Sequence, residues 1–287
     1  EFNASLRWND IISEVAFLVM DLQDRQQHRL AHRFLNSYLE LTGDYSGLAV
    51  LPFYLVYRAM VRAKVCALRL EQGNISADEQ QQIHAEFASY LDLAMSYTRP
   101  EKPKLLIMRG LSASGKSTVS QQLVDGSGAI RLRSDVERKR LFDVAASTSM
   151  KDDIGGGIYS AQASQQTYDR LIELATAVIE AGYSVIVDAA FLDEIKRLPF
   201  QKLAAQLAVP FLIIEVTAPA DVLRERIRLR KDDVSDADLK VLEHQLQHWQ
   251  PLTEGETSAA ITIDSTQTLD TDSLTDRIKQ FTPDSVA

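Results

Sequence analysis

One segment near the middle of the chain restricts its fold more than any other. Residues 110–117 read Gly-Leu-Ser-Ala-Ser-Gly-Lys-Ser, which matches the pattern G-x-x-x-x-G-K-[ST]. The apolar run before this segment predicts a strand, and Lys116 begins a predicted helix. The order strand, loop, helix is the context in which the pattern indicates a phosphate-binding loop. An ordinary strand–turn–helix connection is the alternative that this context disfavours.

The loop offers the chemistry that a triphosphate requires. Glycines and small residues let successive backbone N–H groups point into one concavity, and the helix start adds further free N–H groups. Lys116 supplies a positive charge to the outer phosphates, and the Ser117 hydroxyl is placed to ligate Mg²⁺. We therefore expect ATP and Mg²⁺ as cofactors. The expected nucleotide contacts are Gly110, Ser112, Ala113, Ser114, Gly115, Lys116, Ser117 and Thr118.

A short proline-containing stretch separates two parts of the chain with different patterns. Residues 1–99 carry apolar residues at helical spacing, which predicts an all-α domain. Residues 100–103, Pro-Glu-Lys-Pro, predict a stiff linker. Residues 104–287 predict an α/β domain with a five-stranded parallel sheet covered on both faces. Its predicted strands are Leu105–Met108, Ile130–Leu132, Ser184–Val187, Phe211–Val216 and Ile261–Ile263.

A carboxylate follows the third predicted strand, at Asp188. The carboxyl ends of parallel strands meet at one edge of a sheet, so this side chain should face the same crevice as the loop after the first strand. Carboxylate and hydroxyl oxygens are suitable Mg²⁺ ligands. We predict that Asp188 and Ser117 hold the metal. The alternative is a strand-end aspartate that only caps the next helix.

A dense cluster of charges follows the second predicted strand. Ser134 and Glu137 match a capping box, which would give the segment a purely structural role. A second interpretation is that Asp135 accepts the proton of an acceptor hydroxyl, while Arg133 and Arg138 bind the acceptor. The two interpretations are compatible because capping uses other groups. We expect Asp135 to be both a catalytic and a substrate-binding residue.

Another basic cluster lies on a predicted helix near the carboxyl end of the chain. Arg226 and Arg230 are four residues apart and therefore share a helix face. They could close over the triphosphate and stabilise the transferring group, which would make them catalytic together with Lys116 and Asp135. The alternative is a solvated helix whose arginines pair with neighbouring acidic residues.

Charge and hydropathy narrow the expected partners. With 31 basic and 40 acidic residues the net charge is −9, which disfavours nucleic acid as a partner. The single cysteine, Cys66, fits a reducing cytosol, and no apolar run reaches the ~20 residues of a membrane span. We expect a cytoplasmic protein without a membrane partner. Because the sequence opens at Glu1 inside a structured pattern, we also expect an upstream remainder of a larger polypeptide.

From about Lys104 onwards, the chain resembles the small P-loop kinases of the nucleoside-monophosphate-kinase type. These include gluconate kinase, chloramphenicol phosphotransferase, zeta-toxin-like kinases and polynucleotide 5′-kinase domains. The resemblance rests on Gly110–Thr118, Asp135 with Arg138, Val185–Asp188, and Arg226-x-x-x-Arg230. It implies an ATP-dependent kinase that phosphorylates a hydroxyl of a small molecule. Two alternatives remain open: an ATP-binding module that regulates an attached domain, and a polynucleotide 5′-hydroxyl kinase.

The first hundred residues resemble the C-terminal helical part of aminoglycoside-phosphotransferase-like kinases. The resemblance rests on Leu6–Asp10, Ala16–Leu22, Leu51–Tyr54 and Tyr57 with Arg58. It implies the C-terminal portion of a bacterial two-part protein that joins a phosphotransferase to an ATPase. In that family the catalytic and metal-binding aspartates lie upstream of the segment matching Glu1. The resemblance therefore implies that only the P-loop domain of this chain can catalyse phosphate transfer.

Overall fold

The chain divides into two compact units, Glu1–Glu101 and Lys102–Ala287. The structure is a computed structural model, and it describes residues 9–72, 75–99, 101–144, 160–229 and 239–281. Within these ranges, no helix has both the length and the apolar character needed to cross a membrane.

In the described part of the first unit, all regular secondary structure is helical. Its elements are α1 (Ile11–Asp24), α2 (His28–Thr42), a 3-10 helix (Tyr45–Ala49), α3 (Leu51–Leu70) and α4 (Ala77–Ser96). Helix α3 packs against α1 and α4, and its small residues Ala59 and Ala63 are buried. Local sequence sets the helix ends. Gly43 ends α2 in the left-handed conformation, with φ of 75°, and the Ser76 hydroxyl caps α4 by accepting the N–H of Glu79 at 3.2 Å.

The second unit alternates strands with helices. The strands are β1 (Leu105–Arg109), β2 (Ile130–Arg133), β3 (Val185–Asp188), β4 (Phe211–Thr217) and β5 (Ala260–Asp264). The helices are α5 (Lys116–Ser127), α6 (Ser134–Leu141), α7 (Ala161–Glu180), α8 (Glu194–Gln206), α9 (Ala220–Leu229), α10 (Leu239–Gln247), α11 (Glu254–Thr257) and α12 (Thr271–Gln280).

The strands form one parallel sheet in the order β2-β3-β1-β4-β5. Ile107 of the central strand lies beside Val187 on one side and Ile213 on the other. Every residue of β1 is buried, as expected for a strand that is covered by helices on both faces. The predicted α/β fold with a five-stranded parallel sheet is confirmed.

The sheet topology brings three strand ends to one edge. Strand β3 pairs with both β1 and β2, and the register places Asp188 beside Met108 and Arg133. All three strands run in the same direction, so the segments that follow them open at the same carboxyl edge. In parallel sheets, ligands bind at this edge.

The predicted capping box at the start of α6 is wrong. The helix begins at Ser134, its N-cap residue is Arg133, and no side chain caps it. A serine caps a helix from the position before the first helical residue, and Ser134 lies one position too late for that role. Glu137 is buried and forms an ion pair with Arg140 instead. The cap explanation for the charges around Asp135 therefore fails.

Two arginines lie in the core of the second unit, each 1% exposed and each paired with a glutamate. Arg197 donates from Nε and Nη2 to the two carboxylate oxygens of Glu256, at 2.6 and 2.8 Å. Arg109 pairs with Glu215 and stacks on Trp249 at 3.8 Å from the ring centroid. Burial, together with the nearby charge of Arg197, lowers the pKa of Arg109 to about 10. Through Trp249 and the carbonyl of Gln250, Arg109 attaches the segment after α10 to the sheet. Arg197 attaches α11 to α8.

Replacing Arg197 by alanine should destabilise the second unit. The change leaves the Glu256 carboxylate buried without its bidentate partner, and breaking such a buried pair costs about 3–5 kcal/mol. Urea unfolding followed by circular dichroism measures the loss. Arg170→Ala is the matched control, because Arg170 and Glu173 form an exposed ion pair for which about 0–1 kcal/mol is expected. Equal losses in the two variants would contradict the proposed importance of the buried pair.

Candidate active site at the carboxyl edge of the sheet

The loop between β1 and α5 has the backbone geometry of a phosphate cradle. Its two glycines both have positive φ, 156° at Gly110 and 97° at Gly115, a region that side chains disfavour. Gly115 is the N-cap of α5, so the first N–H groups of that helix are available to a ligand. The N–H of Gly110 donates to the carbonyl of Ala190 at 3.2 Å. This bond ties the loop to the segment that follows Asp188.

Gly110→Ala should disrupt the cradle. A Cβ at this position would lie 2.4 Å from the carbonyl oxygen of Val216 and 2.6 Å from Ser114 Oγ. Because the nearer atom belongs to the backbone of β4, the loop itself would have to shift. We expect a lower melting temperature and a loss of nucleotide affinity of at least tenfold, measured by thermal unfolding and calorimetry. Gly182→Ala is the control, since Gly182 also has positive φ but has no atom within 4 Å of the added Cβ. Nucleotide affinity unchanged in Gly110→Ala would show that the loop does not bind phosphate.

Lys116 lies inside the loop that it follows in sequence. Its ammonium group donates to the carbonyl of Leu111 at 2.8 Å. This position is next to the backbone N–H groups of the loop, where the outer phosphates of a nucleotide are expected. Ser117 and Thr118 are exposed in the first turn of α5, so their hydroxyls are accessible to a ligand.

Asp188 is held in place at the end of β3. It is 6% exposed, and its Oδ2 accepts a hydrogen bond from Ser120 Oγ at 2.9 Å. Ser120 also bonds to the carbonyl of Ser117 at 3.1 Å, which connects Asp188 to the first turn of α5. A carboxylate and a serine hydroxyl are oxygen ligands of the kind that Mg²⁺ takes, together with phosphate and water. Among the described residues there is no cluster of three or more histidine, cysteine or acidic side chains that would suit another kind of metal site.

Asp135 lies in the first turn of α6, close to other charged groups of the crevice. Burial raises the pKa of its carboxyl, and the negative charge of Asp188 adds to that effect. The positive charges of Arg138, Arg133 and Lys116 act in the opposite direction. The five side chains therefore interact electrostatically, although they come from three separate segments of the sequence. A carboxyl with a raised pKa in a crevice of this kind is typical of functional sites.

Helix α7, which Arg138 contacts, carries an aromatic residue that the sequence did not indicate and that packs against Phe191 and Phe200. Arg138 Nε donates to Thr167 Oγ1 of α7 at 3.4 Å, and the neighbouring Tyr168 is buried. Burial raises the pKa of the Tyr168 hydroxyl to about 12, and the charges of Arg138 and Asp135 also act on it. No motif marked Tyr168, because in the sequence it is one of several apolar residues at helical spacing on α7.

Arg226 contacts the outer side of the loop. Its Nη1 donates to the carbonyl of Ala113 at 3.2 Å and to Ser265 Oγ at 2.8 Å, and its Nη2 donates to the Ser265 carbonyl at 2.9 Å. These bonds join α9, the loop and the segment after β5. Arg230, its predicted partner, lies outside the described residues.

A cavity of about 620 Å³ adjoins this outer side of the loop. Its lining comes from the loop, from the first turns of α5 and from the segment after β5. The sequence-based prediction did not include this segment, because it carries no motif and reaches the loop only through the sheet topology. The residues lining the cavity include Ala113, Gly115, Thr118, Gln122, Arg226, Ser265, Gln267, Thr268 and Leu269.

Comparison with known families agrees with this geometry. The family model described as an AAA domain, AAA_33, matches residues 105–252, about half of the chain. The chain belongs to this AAA domain family. The AAA domain match includes the loop, Asp135, Asp188 and Arg226, and it ends before β5.

Curated relatives of this chain occur in mycobacteria. Uncharacterized proteins of Mycobacterium tuberculosis (strain H37Rv) and Mycobacterium bovis are each 30% identical to it over 241 residues. The aligned region covers 84% of this chain and 47% of each relative. The chain therefore spans about half the length of the curated relatives that it matches.

Solved structures share the fold of the second unit. A protein of Chloroflexus aurantiacus J-10-fl that has been suggested to be a kinase is 23% identical, with a TM-score of 0.50 over 63% of this chain and 98% of its own. A sugar kinase of Janibacter sp. HTCC2649 is 20% identical, with a TM-score of 0.47 over 61% and 92% of the two chains. The second unit therefore shares its fold with the Chloroflexus protein.

Proposed function

We propose that the second unit is an ATP-dependent kinase that transfers the γ-phosphate of ATP to a hydroxyl group of a small molecule. The observation that carries this proposal is the sheet register, which puts Asp188 beside the ends of β1 and β2, the strands that lead to Lys116 and Asp135. The charges of Lys116 and Asp188 act on the Asp135 carboxyl, in agreement with this placement. Phosphate transfer to an alcohol requires positive charge at the outer phosphates and a base near the acceptor hydroxyl. The P-loop kinase fold supports the same reaction class.

The proposed roles of the loop follow from its geometry. The backbone N–H groups of the loop and of the first turn of α5 bind the phosphates. Lys116 leaves the carbonyl of Leu111 and donates to the outer phosphates instead. Arg226 fixes the loop from its outer side through Ala113 and Ser265. The predicted role of Arg226 and Arg230 as cations over the triphosphate remains a prediction.

Ser117 and Asp188 are the proposed metal-binding residues. When bound, Mg²⁺ would neutralise charge on the phosphate oxygens. Ser120 orients Asp188 through its 2.9 Å hydrogen bond, so the carboxylate does not have to reorganise when the ligand arrives. The same serine contacts the carbonyl of Ser117. Ser120 therefore links the two residues that we propose as metal ligands.

Asp135 is the proposed base for the acceptor hydroxyl. Its raised pKa makes the ionised carboxylate a better proton acceptor than an ordinary exposed aspartate. Arg133 and Arg138 oppose the effect of burial and favour the ionised form. In our proposal these arginines also bind the acceptor, and the neighbouring Tyr168 contributes to the wall of its site.

The other expectations from the sequence stay predictions. These are the boundaries of a helical domain at residues 1–99 and a linker at residues 100–103, the phosphotransferase-like origin of that helical domain, a cytoplasmic location and an upstream remainder. The net charge of −9 supports a small-molecule acceptor over a polyanion.

A product assay with a panel of acceptors tests the proposed function. The purified chain is incubated with Mg²⁺, ATP and separate sugars, sugar acids, amino alcohols, nucleosides or a 5′-hydroxyl oligonucleotide, and mass spectrometry detects phosphorylated product. We expect phosphorylation of a small alcohol, absent in Lys116→Ala. ATP hydrolysis that no acceptor stimulates would instead indicate a regulatory ATP-binding module. Phosphorylation of the oligonucleotide alone would indicate a polynucleotide kinase.

A further inference from the structure

A side chain from α10 accepts a hydrogen bond from one of the backbone N–H groups of the phosphate loop. Gln245 Oε1 accepts a hydrogen bond from the backbone N–H of Ser112 at 2.8 Å, across 133 positions of sequence. Gln245 is half-buried at this contact. Loop N–H groups of this kind normally face phosphate oxygens, so the amide of Gln245 takes the place of a phosphate oxygen at Ser112.

The contact lies at the end of the cradle that receives the outer phosphates. Lys116, whose amine reaches the β- and γ-phosphates in such loops, donates to the carbonyl of Leu111. Leu111 and Ser112 share one peptide bond, so the lysine amine and the Gln245 amide lie on either side of the same peptide unit. Gln245 and Lys116 therefore contact adjoining backbone groups of the loop, within the part of it where the outer phosphates are expected.

The position of Gln245 is fixed by contacts on both sides of it in sequence. Leu242 of the same helix is fully buried, and Glu243 accepts from Arg224 of α9 at 2.8 Å. Beyond the helix, Trp249 stacks on the buried Arg109. With α10 anchored before and after Gln245, the side-chain amide is presented to the loop by the fold and not by a chance surface contact.

The amide of glutamine can both accept and donate hydrogen bonds. Its oxygen is bound to Ser112, and within the described ranges of the chain its nitrogen donates to no protein acceptor. Rotation of the terminal torsion exchanges the two atoms without moving the helix. A phosphate oxygen that takes the Ser112 N–H would then meet an amide N–H donor at the same place.

We propose that Gln245 is a positioning residue that recognises the γ-phosphate of a bound nucleoside triphosphate and so distinguishes it from a diphosphate. In the structure the amide oxygen of Gln245 accepts the hydrogen bond of the Ser112 N–H. When the triphosphate binds, a γ-phosphate oxygen replaces the glutamine oxygen at Ser112, and the amide nitrogen of Gln245 donates to that phosphate. This inference rests on the proposed nucleotide-binding function of the loop and goes beyond it by assigning selectivity for the terminal phosphate.

Calorimetric titration of the whole chain with Mg-ATP and with Mg-ADP, without any acceptor, tests the inference. In Gln245→Ala we expect the Kd for Mg-ATP to rise about tenfold, the typical effect of losing a hydrogen bond to a charged group. The Kd for Mg-ADP should change less than twofold. Gln245→Glu keeps an acceptor for Ser112 but adds a negative charge, so its Kd for Mg-ATP should rise further. Gln247→Ala, at an exposed position of the same helix, is the matched control and should leave both constants unchanged.

Two results would overturn the inference while leaving the proposed function intact. Tighter binding of both nucleotides to Gln245→Ala would show that the glutamine only blocks the loop. Unchanged constants in both Gln245 variants, with unchanged melting temperatures, would show that the contact has no role in binding. If the unaltered chain binds neither nucleotide, the proposed function fails and the inference fails with it. A Kd for Mg-ATP that rises while that for Mg-ADP does not supports the inference whichever acceptor the enzyme uses.

Discussion

Replacing Lys116 by alanine is expected to lower phosphate transfer by about 10³-fold or more, the range seen when a charge at the transferring phosphate is removed. The side chain already lies inside the loop, where its ammonium group bonds to Leu111. Its loss removes positive charge from the place where the outer phosphates bind, so the Kd for Mg-ATP should also rise. Turnover with the best acceptor and calorimetric titration with Mg-ATP measure the two effects.

The matched control for this change is Lys202→Ala. Lys202 is an exposed lysine on α8, so its removal changes the net charge equally but touches no part of the loop. We expect wild-type turnover and affinity from it, and similar melting temperatures for both variants. If Lys116→Ala retains wild-type turnover, the assignment of the loop as the phosphate-transfer site is wrong.

Asp135→Asn is expected to lower transfer by about 10²-fold or more, the usual contribution of a general base, while the Kd for Mg-ATP changes less than twofold. Asparagine preserves the shape of the side chain but cannot accept the hydroxyl proton. Turnover against Mg-ATP affinity separates this role from nucleotide binding. Asp169→Asn, at an exposed position on α7, is the control and should retain full activity. A parallel loss of ATP affinity in Asp135→Asn would contradict the assignment to the acceptor side.

The pH dependence provides a second measurement on the same variant. Burial raises the pKa of Asp135. As the pH is lowered, kcat/KM of the wild type should therefore begin to fall at a pH above the ordinary aspartate pKa of about 3.9. This limb of the profile should be absent in Asp135→Asn. A limb that is identical in both proteins would mean that another group is the base.

The direction in which Asp135→Asn changes the free energy of unfolding also follows from this pKa. The folded protein binds the Asp135 proton more tightly than the unfolded chain does, because the folded pKa is raised. Ionisation of Asp135 therefore lowers the stability of the wild type as pH rises from the ordinary aspartate pKa to the raised one. Asparagine does not ionise, so the variant should melt at the same temperature as the wild type or higher at neutral pH. A lower melting temperature would restore a structural role for this position.

The strands of the sheet could be predicted from the sequence, because buried parallel strands appear as short, nearly continuous apolar runs. The apolar runs predicted as Ile130–Leu132 and Ser184–Val187 correspond to the observed strands Ile130–Arg133 and Val185–Asp188. From the parallel sheet it followed that Lys116, Asp135 and Asp188 would meet at one edge, and the charges acting on Asp135 are consistent with that placement.

Local rules were less reliable at the helix start near Asp135. Ser134 and Glu137 have the spacing of a capping box, yet the backbone becomes helical one residue earlier than that motif requires. The burial of Glu137 and its pairing with Arg140 depend on tertiary packing. A motif four residues long does not contain that information.

The contacts that the sequence did not reveal are the ones that join distant segments. Gln245 meets Ser112 across 133 positions, and Ser265 meets Arg226 across 39. Neither Gln245 nor Ser265 belongs to a motif that would mark it in the sequence. Such partners become visible only when the sheet order has placed their elements side by side.

The lining of the cavity beside the loop determines which kind of ligand it suits. Arg226 is the charged residue among those that line it, and the other lining side chains are neutral. The charged residues Lys116, Asp135 and Asp188 are not among the residues that line this cavity. A ligand that fills the cavity would therefore meet mostly uncharged groups, and we expect its affinity to depend on shape and on hydrogen bonds to residues such as Gln267 and Thr268 more than on ionic strength.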